Sequence, residues 1–324
     1  MSKIVIIGVG HVGSHCAYSL AVQGIADEIV LLDINESKAD CQAQDIADAG
    51  SLFPRRVQVR SGGYDQCQNA DIVVIAAGTP RTPVQMPDGS FVPPPRLSLM
   101  EESLRAIQTI IPPLKASGFD GIIIGITNPA DIVINYIYQK MDFPANRVFG
   151  TGTSLDTVRL KRYLSEYSGV EASRIECIAL GEHGDSQTAP YSQMFIDGKS
   201  LSLLAAEDKQ YDFDYRQAAQ TSKTTGGRII GGKGSTEFGI GTVLADMARA
   251  VLNDEKRIMP ATVLLSGQYG ISGLHAGVPA VIGRNGVESI VDLDLTREEI
   301  DGFRASCAVI ESYLQHAKTL HLQI

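Results

Sequence analysis

Three short segments of the chain carry side chains suited to moving a proton or gripping an anion. In Gly181-Glu182-His183-Gly184-Asp185-Ser186 a histidine is held between glycines just after a strand-like run, and histidine is the side chain whose ordinary pKa lies near neutral pH. Thr153-Ser154-Leu155-Asp156-Thr157-Val158-Arg159 opens a helix-like run, where Asp156 and Arg159, three apart, share one face. Ile126-Thr127-Asn128-Pro129 ends a strand-like run in the first half of the chain, and open α/β sheets bind ligands at the carboxyl ends of their strands. Each segment also fits a plainer role on its own. Asp156 and Arg159 fit an exposed pair worth about 0.3–0.5 kcal/mol, His183 a turn residue, and Asn128 before Pro129 ordinary turn chemistry.

A fourth segment points to a dinucleotide. Gly8-Val9-Gly10-His11-Val12-Gly13 follows the apolar run Ile4–Ile7 directly and opens a helix-like run. Gly8 permits the tight turn, Gly10 lets the backbone approach a pyrophosphate, and Gly13 allows close contact between helix and strand. The helix N-terminus then offers N–H groups and partial positive charge to the phosphates. Asp33 ends the next strand, about 20 residues past the last glycine, where a carboxylate accepts hydrogen bonds from a ribose diol. A carboxylate there repels a 2′-phosphate, so NAD is expected rather than NADP. His11 is expected to be a bystander in the loop.

These segments need a scaffold that brings them together. Ile4–Ile7, Ile29–Leu32, Ile72–Ala76 and Ile122–Ile126 are short β-rich runs, and amphipathic stretches lie between them near residues 12–23, 36–48 and 97–117. This alternation predicts βαβ units and a parallel sheet, an α/β fold with a doubly wound first domain over residues 1–150. A Pro-rich stretch from Gly78 to about Arg96 is long for a loop in a compact domain, which suggests a lid over about 79–96. Its triplet Pro93-Pro94-Pro95 is expected to stiffen into an extended rod. Beyond Gly150 the pattern changes. Helices are predicted at 155–167, 212–229, 237–253 and 296–320, and β-rich segments near 175–180, 190–196, 259–268 and 278–291, an α+β second domain over 151–324.

Composition excludes several other classes. The 324 residues include 28 Lys and Arg against 37 Asp and Glu, a formal charge of −9, which disfavours a nucleic-acid partner. No apolar run reaches the roughly 18 residues of a membrane span, and the opening MSKIVIIGVG does not read as a secretory signal. Cys16, Cys41, Cys67, Cys177 and Cys307 are scattered and never form a CxxC pair. No disulfide framework and no metal site is expected, and a reducing cytoplasm fits best.

Taken together, G-V-G-H-V-G, Asp33, T-N-P, G-T-S-L-D-T-V-R and G-E-H-G-D-S, in this order, resemble the NAD-dependent L-lactate and malate dehydrogenase family. The resemblance runs from the first strand to the C-terminal helix. It implies a Rossmann domain, a mixed catalytic domain and reversible reduction of a 2-oxoacid. It further implies that His183 donates a proton to the substrate carbonyl, that Asp156 accepts the second ring N–H, and that Arg159 grips the substrate carboxylate. Arg96, at the end of the lid, resembles the arginine that polarises the carbonyl. Asn128 and Thr236 would lie at the substrate and Ile240 at the nicotinamide. Val12, Gly78 and Asn128 would join Gly8, Gly10, Gly13 and Asp33 at the cofactor.

Substrate choice is divided within that family. Counting from Gly78 gives Thr79, Pro80 and Arg81, and an arginine at this place resembles the malate branch, where it would bind a second carboxylate. G-T-S-L-D-T, G-E-H-G-D-S-Q, Thr236 and the lengthened lid resemble instead the L-lactate and L-2-hydroxyisocaproate dehydrogenases. The lactate-like branch is expected, with malate as the alternative. An NAD-dependent glycosidase using Cys177 and a catalytically silent NAD-binding protein are two further alternatives. The resemblance also suggests a homodimer or homotetramer.

Overall fold

The computed structural model describes residues 1–78, 84–86, 91–92 and 96–320. Strands β1 (Lys3–Ile7), β2 (Glu28–Leu32), β3 (Gln58–Ser61), β4 (Ile72–Ile75), β7 (Ile122–Gly125) and β8 (Val148–Gly150) run parallel, in the order 3-2-1-4-7-8. In β1, β2, β4 and β7 every residue but the first of β1 and β2 and the last of β7 is a buried branched aliphatic or leucine. Such runs belong in strands covered by helices on both faces. Those helices are α1 (His11–Val22), α2 (Glu36–Asp48), α3 (Arg96–Ala116) and α4 (Ala130–Met141). A two-stranded ladder, β5 (Val84–Gln85) with β6 (Phe91–Val92), lies within the stretch predicted to be an unpatterned loop. The intervening sequence Pro87-Asp88-Gly89 carries the Asp-Gly signal typical of hairpins. The Pro93–Pro95 rod lies outside the described residues.

The second half begins with α5 (Ser154–Ser168) and a small antiparallel sheet of β9 (Ile175–Glu176), β10 (Phe195–Ile196) and β11 (Lys199–Ser200). Helices α6 (Leu201–Glu207), α7 (Tyr215–Lys233) and α8 (Phe238–Leu252) follow. Strands β12 (Arg257–Ser266), β13 (Ser272–Gly283) and β14 (Gly286–Ile290) form an antiparallel meander, and α9 (Arg297–Thr319) closes the chain. The meander extends the parallel sheet: β12 pairs with β8 at Thr262 and Gly150, giving nine strands in all among the described residues. Leu160, Leu164, Ile175, Met194, Ile196 and Leu201 build a separate small core between α5 and the β9–β11 sheet.

Two close approaches set the site. Helix α8 crosses α1 so tightly that a Cβ on Gly241 would stand 3.0 Å from the His15 carbonyl oxygen. This places the start of α8 over the glycine loop. At the joint between the two halves, a Cβ on Gly152 would meet the Thr262 hydroxyl and backbone at less than 3 Å, so β12 lies directly against the turn leading into α5.

Behind the joint, the fully buried His275 of β13 takes a hydrogen bond on Nδ1 from the Asn135 side-chain amide of α4 (3.2 Å). Its Nε2 has no partner among the described residues. Burial pushes its pKa down to about 3. The unfolded chain therefore takes up this proton first, and stability is lost as pH falls through 6.5. Between pH 7 and pH 5 this one group is expected to remove about 2 kcal/mol. Urea unfolding at both pH values should show a correspondingly smaller loss in His275→Gln; parallel behaviour of variant and wild type would refute the assignment.

Candidate active site

The glycine loop joins β1 to α1 at the carboxyl end of the sheet. Gly8 has φ +94, and a Cβ there would collide with Ala77 at 2.5 Å. A Cβ on Gly13 would stand 1.9 Å from the Gly8 carbonyl oxygen, so the helix can pack here only without a side chain. Gly10 differs: its Cβ would meet only the Lys38 ammonium at 3.9 Å, and no side chain caps the helix it begins. Its backbone edge is thus open to a phosphate, with first-turn N–H groups aimed there.

Asp33, at the end of β2, ties this loop down. Its Oδ2 accepts the Val9 N–H (2.8 Å) and its Oδ1 the Asn35 N–H (3.0 Å). Each carboxylate oxygen keeps a further lone pair for a ribose hydroxyl. Next to it, Ile34 is wholly exposed, an apolar surface suited to a flat heterocycle. The residues therefore fit a dinucleotide. His11 is more than a bystander: its ring lies 3.6 Å from the buried Glu237 carboxylate, which Lys233 and Ser235 also hold.

Gly78 follows β4, and Thr127 pins that turn to β7 by donating its hydroxyl to the Ala77 carbonyl (2.7 Å). Asn128 follows at the end of β7, exposed, with a cis peptide to Pro129 before α4 begins. Asp156 and Arg159 occupy the first two turns of α5 with their charged groups 3.6 Å apart. His183 sits on the loop after Leu180, its Nδ1 2.6 Å from Asp156 Oδ2. The side chain of Asp156 is 3% exposed, that of Arg159 11% and that of His183 21%, so the pair is not a solvated surface contact and the imidazole is the member that reaches the cleft. Burial alone would raise the pKa of Asp156. The His183 ring, then Arg159 and Gln187, outweigh it and hold the carboxyl below its usual range. Burial lowers the pKa of Arg159 and Asp156 opposes that fall.

Thr236 lies half-buried between α7 and α8, and Ile240 half-buried on the first turn of α8, packed against the main core beneath the cofactor loop. Val12, on the first turn of α1, packs against the same core. Arg96 is the first residue of α3, and its side chain lies outside the described residues, as does Arg81 entirely.

Several supporting residues have no counterpart in the sequence-based expectations. Asp131 of α4 accepts the His183 backbone N–H (2.8 Å) on Oδ2 and the Thr262 hydroxyl (2.8 Å) on Oδ1. Ser306 of α9 accepts the Glu182 N–H (2.8 Å). Gln187 donates to the Gly184 carbonyl (2.9 Å) and reaches Asp156. A signal for Asp131 is present in the sequence, as an acid three residues after Asn128 where a helix N-terminus would favour negative charge.

Comparison with known proteins agrees with this geometry. Residues 2–150 match the family model described as the lactate/malate dehydrogenase NAD-binding domain, and residues 153–320 match the lactate/malate dehydrogenase alpha/beta C-terminal domain. The chain is 40% identical over 319 residues to an L-lactate dehydrogenase of Fusobacterium nucleatum, covering 98% of this chain and 97% of the relative. It is 37% identical over 315 residues to L-lactate dehydrogenase 3 of Bacillus cereus, covering 97% of each. The crystal structure of a lactate dehydrogenase from a Medee basin deep-sea metagenome superposes with a TM-score of 0.90 at 32% identity, over 97% of this chain and 98% of that one. The minor L-lactate dehydrogenase of Enterococcus mundtii gives 0.89 at 34% identity over 97% and 98%. Matched along nearly its whole length by the two models together, the chain belongs to the lactate/malate dehydrogenase family.

Proposed function

We propose that the chain is an NAD-dependent L-2-hydroxy acid dehydrogenase of the lactate-like branch, acting on pyruvate and lactate or a bulkier monocarboxylate pair. The observation that carries this is the His183–Asp156–Arg159 arrangement, its carboxylate buried and its imidazole reaching the cleft, at the same end of the sheet as the open glycine loop. The names of its relatives support it.

NADH supplies the hydride when bound. Reduction of a carbonyl builds negative charge on its oxygen, so the site must deliver a proton and a cation there. With Nδ1 committed to Asp156, His183 delivers the proton from Nε2, and the ionised Asp156 stabilises the imidazolium. Arg159 binds the substrate carboxylate through two parallel N–H groups. Arg96 polarises the carbonyl from the start of α3. Asn128 and Thr236 orient the substrate, and Ile240 backs the nicotinamide. Gly8, Gly10, Val12, Gly13 and Gly78 hold the pyrophosphate side, and Asp33 the ribose. Residues 1–150 thus supply most of the cofactor contacts, together with Arg96 and Asn128 at the substrate, and 151–324 supply the proton donor and the carboxylate binder, together with Ile240 at the nicotinamide.

Cys177 argues against the glycosidase alternative. Its sulfur faces the Thr157 carbonyl, and burial pushes the thiol up to about 12, which disfavours its thiolate. A cytoplasmic setting is part of this reading; all five cysteines are free, and among the described residues no helix is long and apolar enough to cross a membrane. Assembly into a homodimer or homotetramer is supported by large apolar side chains left on the surface, such as Leu52, Tyr18, Val158 and Phe238, the last 67% exposed.

An NADH-oxidation panel tests the substrate. Pyruvate or 4-methyl-2-oxopentanoate is expected to exceed oxaloacetate in kcat/KM by at least about 100-fold, because a buried second carboxylate without a cation is costly. Preference for oxaloacetate, lost selectively in Arg81→Gln, would establish the malate alternative.

A further inference from the structure

We infer that Asp131 is a positioning residue for His183: its buried carboxylate holds the proton-transfer loop in place, and its charge helps the imidazole keep its proton. This rests on His183 being the proton donor to a 2-oxoacid.

One carboxylate links three separate pieces of chain. Asp131 stands in the first turn of α4, three residues after Asn128, and is almost wholly buried. One oxygen takes the backbone N–H of His183 itself and the other takes the Thr262 hydroxyl of β12, at the position where β12 pairs with β8. The proton-transfer loop, the substrate-side end of β7 and the joint of the sheet are thereby held to one rigid group. Losing the carboxylate would leave a buried N–H without its acceptor and free the loop to shift, and proton transfer tolerates little displacement.

The charge acts as well as the shape. Among the described residues, Asp156, itself paired with Arg159, and Asp131 stand against His183 from α5 and α4. On its own loop Glu182 turns its carboxylate to Ser186 and acts on Asp131, and Asp185 acts on Lys223 of α7. Ser306 and Cys307 of α9 stand behind, the Cys307 thiol pushed up to about 12 by burial and so neutral. Asp156 bonds His183 at the ring and Asp131 at the backbone. Burial, and less strongly Glu182, raise the pKa of Asp131 to about 6, against the pull of Thr262 and His183. It is therefore ionised at neutral pH and favours the imidazolium, but it takes up a proton in mildly acidic solution.

The test is the pH profile of kcat/KM for pyruvate reduction, with NADH affinity measured alongside by fluorescence. The wild type should show an alkaline limb, where His183 loses its proton, and an acid limb near pH 6, where Asp131 gains one. In Asp131→Asn the acid limb should vanish and the alkaline limb move down by about one pH unit. Turnover should fall about 10–100-fold, the scale of outer hydrogen-bond partners elsewhere, with NADH affinity unchanged. Thr262→Val keeps the carboxylate but removes a bond that favours its charged form, so the acid limb should move up while the alkaline limb stays. Wild-type limbs in Asp131→Asn, or an unmoved acid limb in Thr262→Val, would overturn the inference; should Asp131→Asn not fold, Thr262→Val decides alone. A wild type without any 2-oxoacid turnover would instead remove the assigned role of His183 itself.

Discussion

Replacing His183 by asparagine is expected to lower the turnover of 2-oxoacid reduction by about 10²–10⁴-fold while leaving NADH affinity nearly intact. Asparagine is close in size to imidazole, and its amide can still donate to Asp156 Oδ2, now 2.6 Å from the ring nitrogen. What it lacks is a proton that leaves near neutral pH. The loop should keep its place, because His183 is anchored through its backbone N–H to Asp131 as well as through its ring. The glycine loop takes its geometry from Gly8, Gly13 and Asp33, none of which depends on the imidazole. Single-turnover kinetics would give the chemical step and NADH fluorescence titration the affinity. Turnover within a few-fold of wild type would end the assignment of His183 as proton donor.

The second large effect is expected at Arg159. Changing it to lysine should reduce kcat/KM for pyruvate by about 30–5,000-fold, the range of about 2–5 kcal/mol that follows when a buried, hydrogen-bonded charge pair is disrupted. The positive charge survives, so the loss measures geometry. A guanidinium presents two parallel N–H groups to a carboxylate, and an ammonium is a point charge that cannot reproduce them. The surroundings are shaped for the larger group: a Cβ added to Gly226 of α7 would stand 3.3 Å from the Arg159 guanidinium, and Asp156 lies 3.6 Å away on the other side. Comparing pyruvate with its methyl ester separates this effect from general damage. The variant should lose most of the preference for the acid, with the ester little affected. Equal kcat/KM for pyruvate in variant and wild type would show that Arg159 does not hold the substrate.

Much of the scaffold was legible because its signals are local. Buried on both faces, β1, β2, β4 and β7 read as short aliphatic runs, and α2 spans the predicted residues 36–48. The elements missed were those whose local signal is weak or ambiguous. Helix α4 contains Ile132-Val133-Ile134-Asn135-Tyr136-Ile137, buried throughout, and a fully buried run of β-branched residues carries neither a helical nor a strand period. With α4 unassigned, Asp131 had no helix to stand on. Strand β8 is three residues long, and β3 is partly exposed without strict alternation.

The chain's own order of residues determined the chemistry on offer: a turn that only glycine can make at Gly8, an acid at the end of the next strand, a histidine, an acid and an arginine in motifs that resemble one family. Backbone conformation and residue type at each of these places are decided within a few neighbours, so a linear string is enough to show them. Tertiary structure alone decided which of them meet. His183 is 27 residues from Asp156 and 52 from Asp131, and Thr262 is 131 residues from Asp131. Those meetings depend on the order of strands in one sheet and on how closely β12 and α8 can approach it, which packing over the whole molecule sets. The same packing sets their charges: His183 and Arg159 hold Asp156 ionised against its burial, while burial pushes the pKa of Asp131 up to about 6 and that of His275 down to about 3.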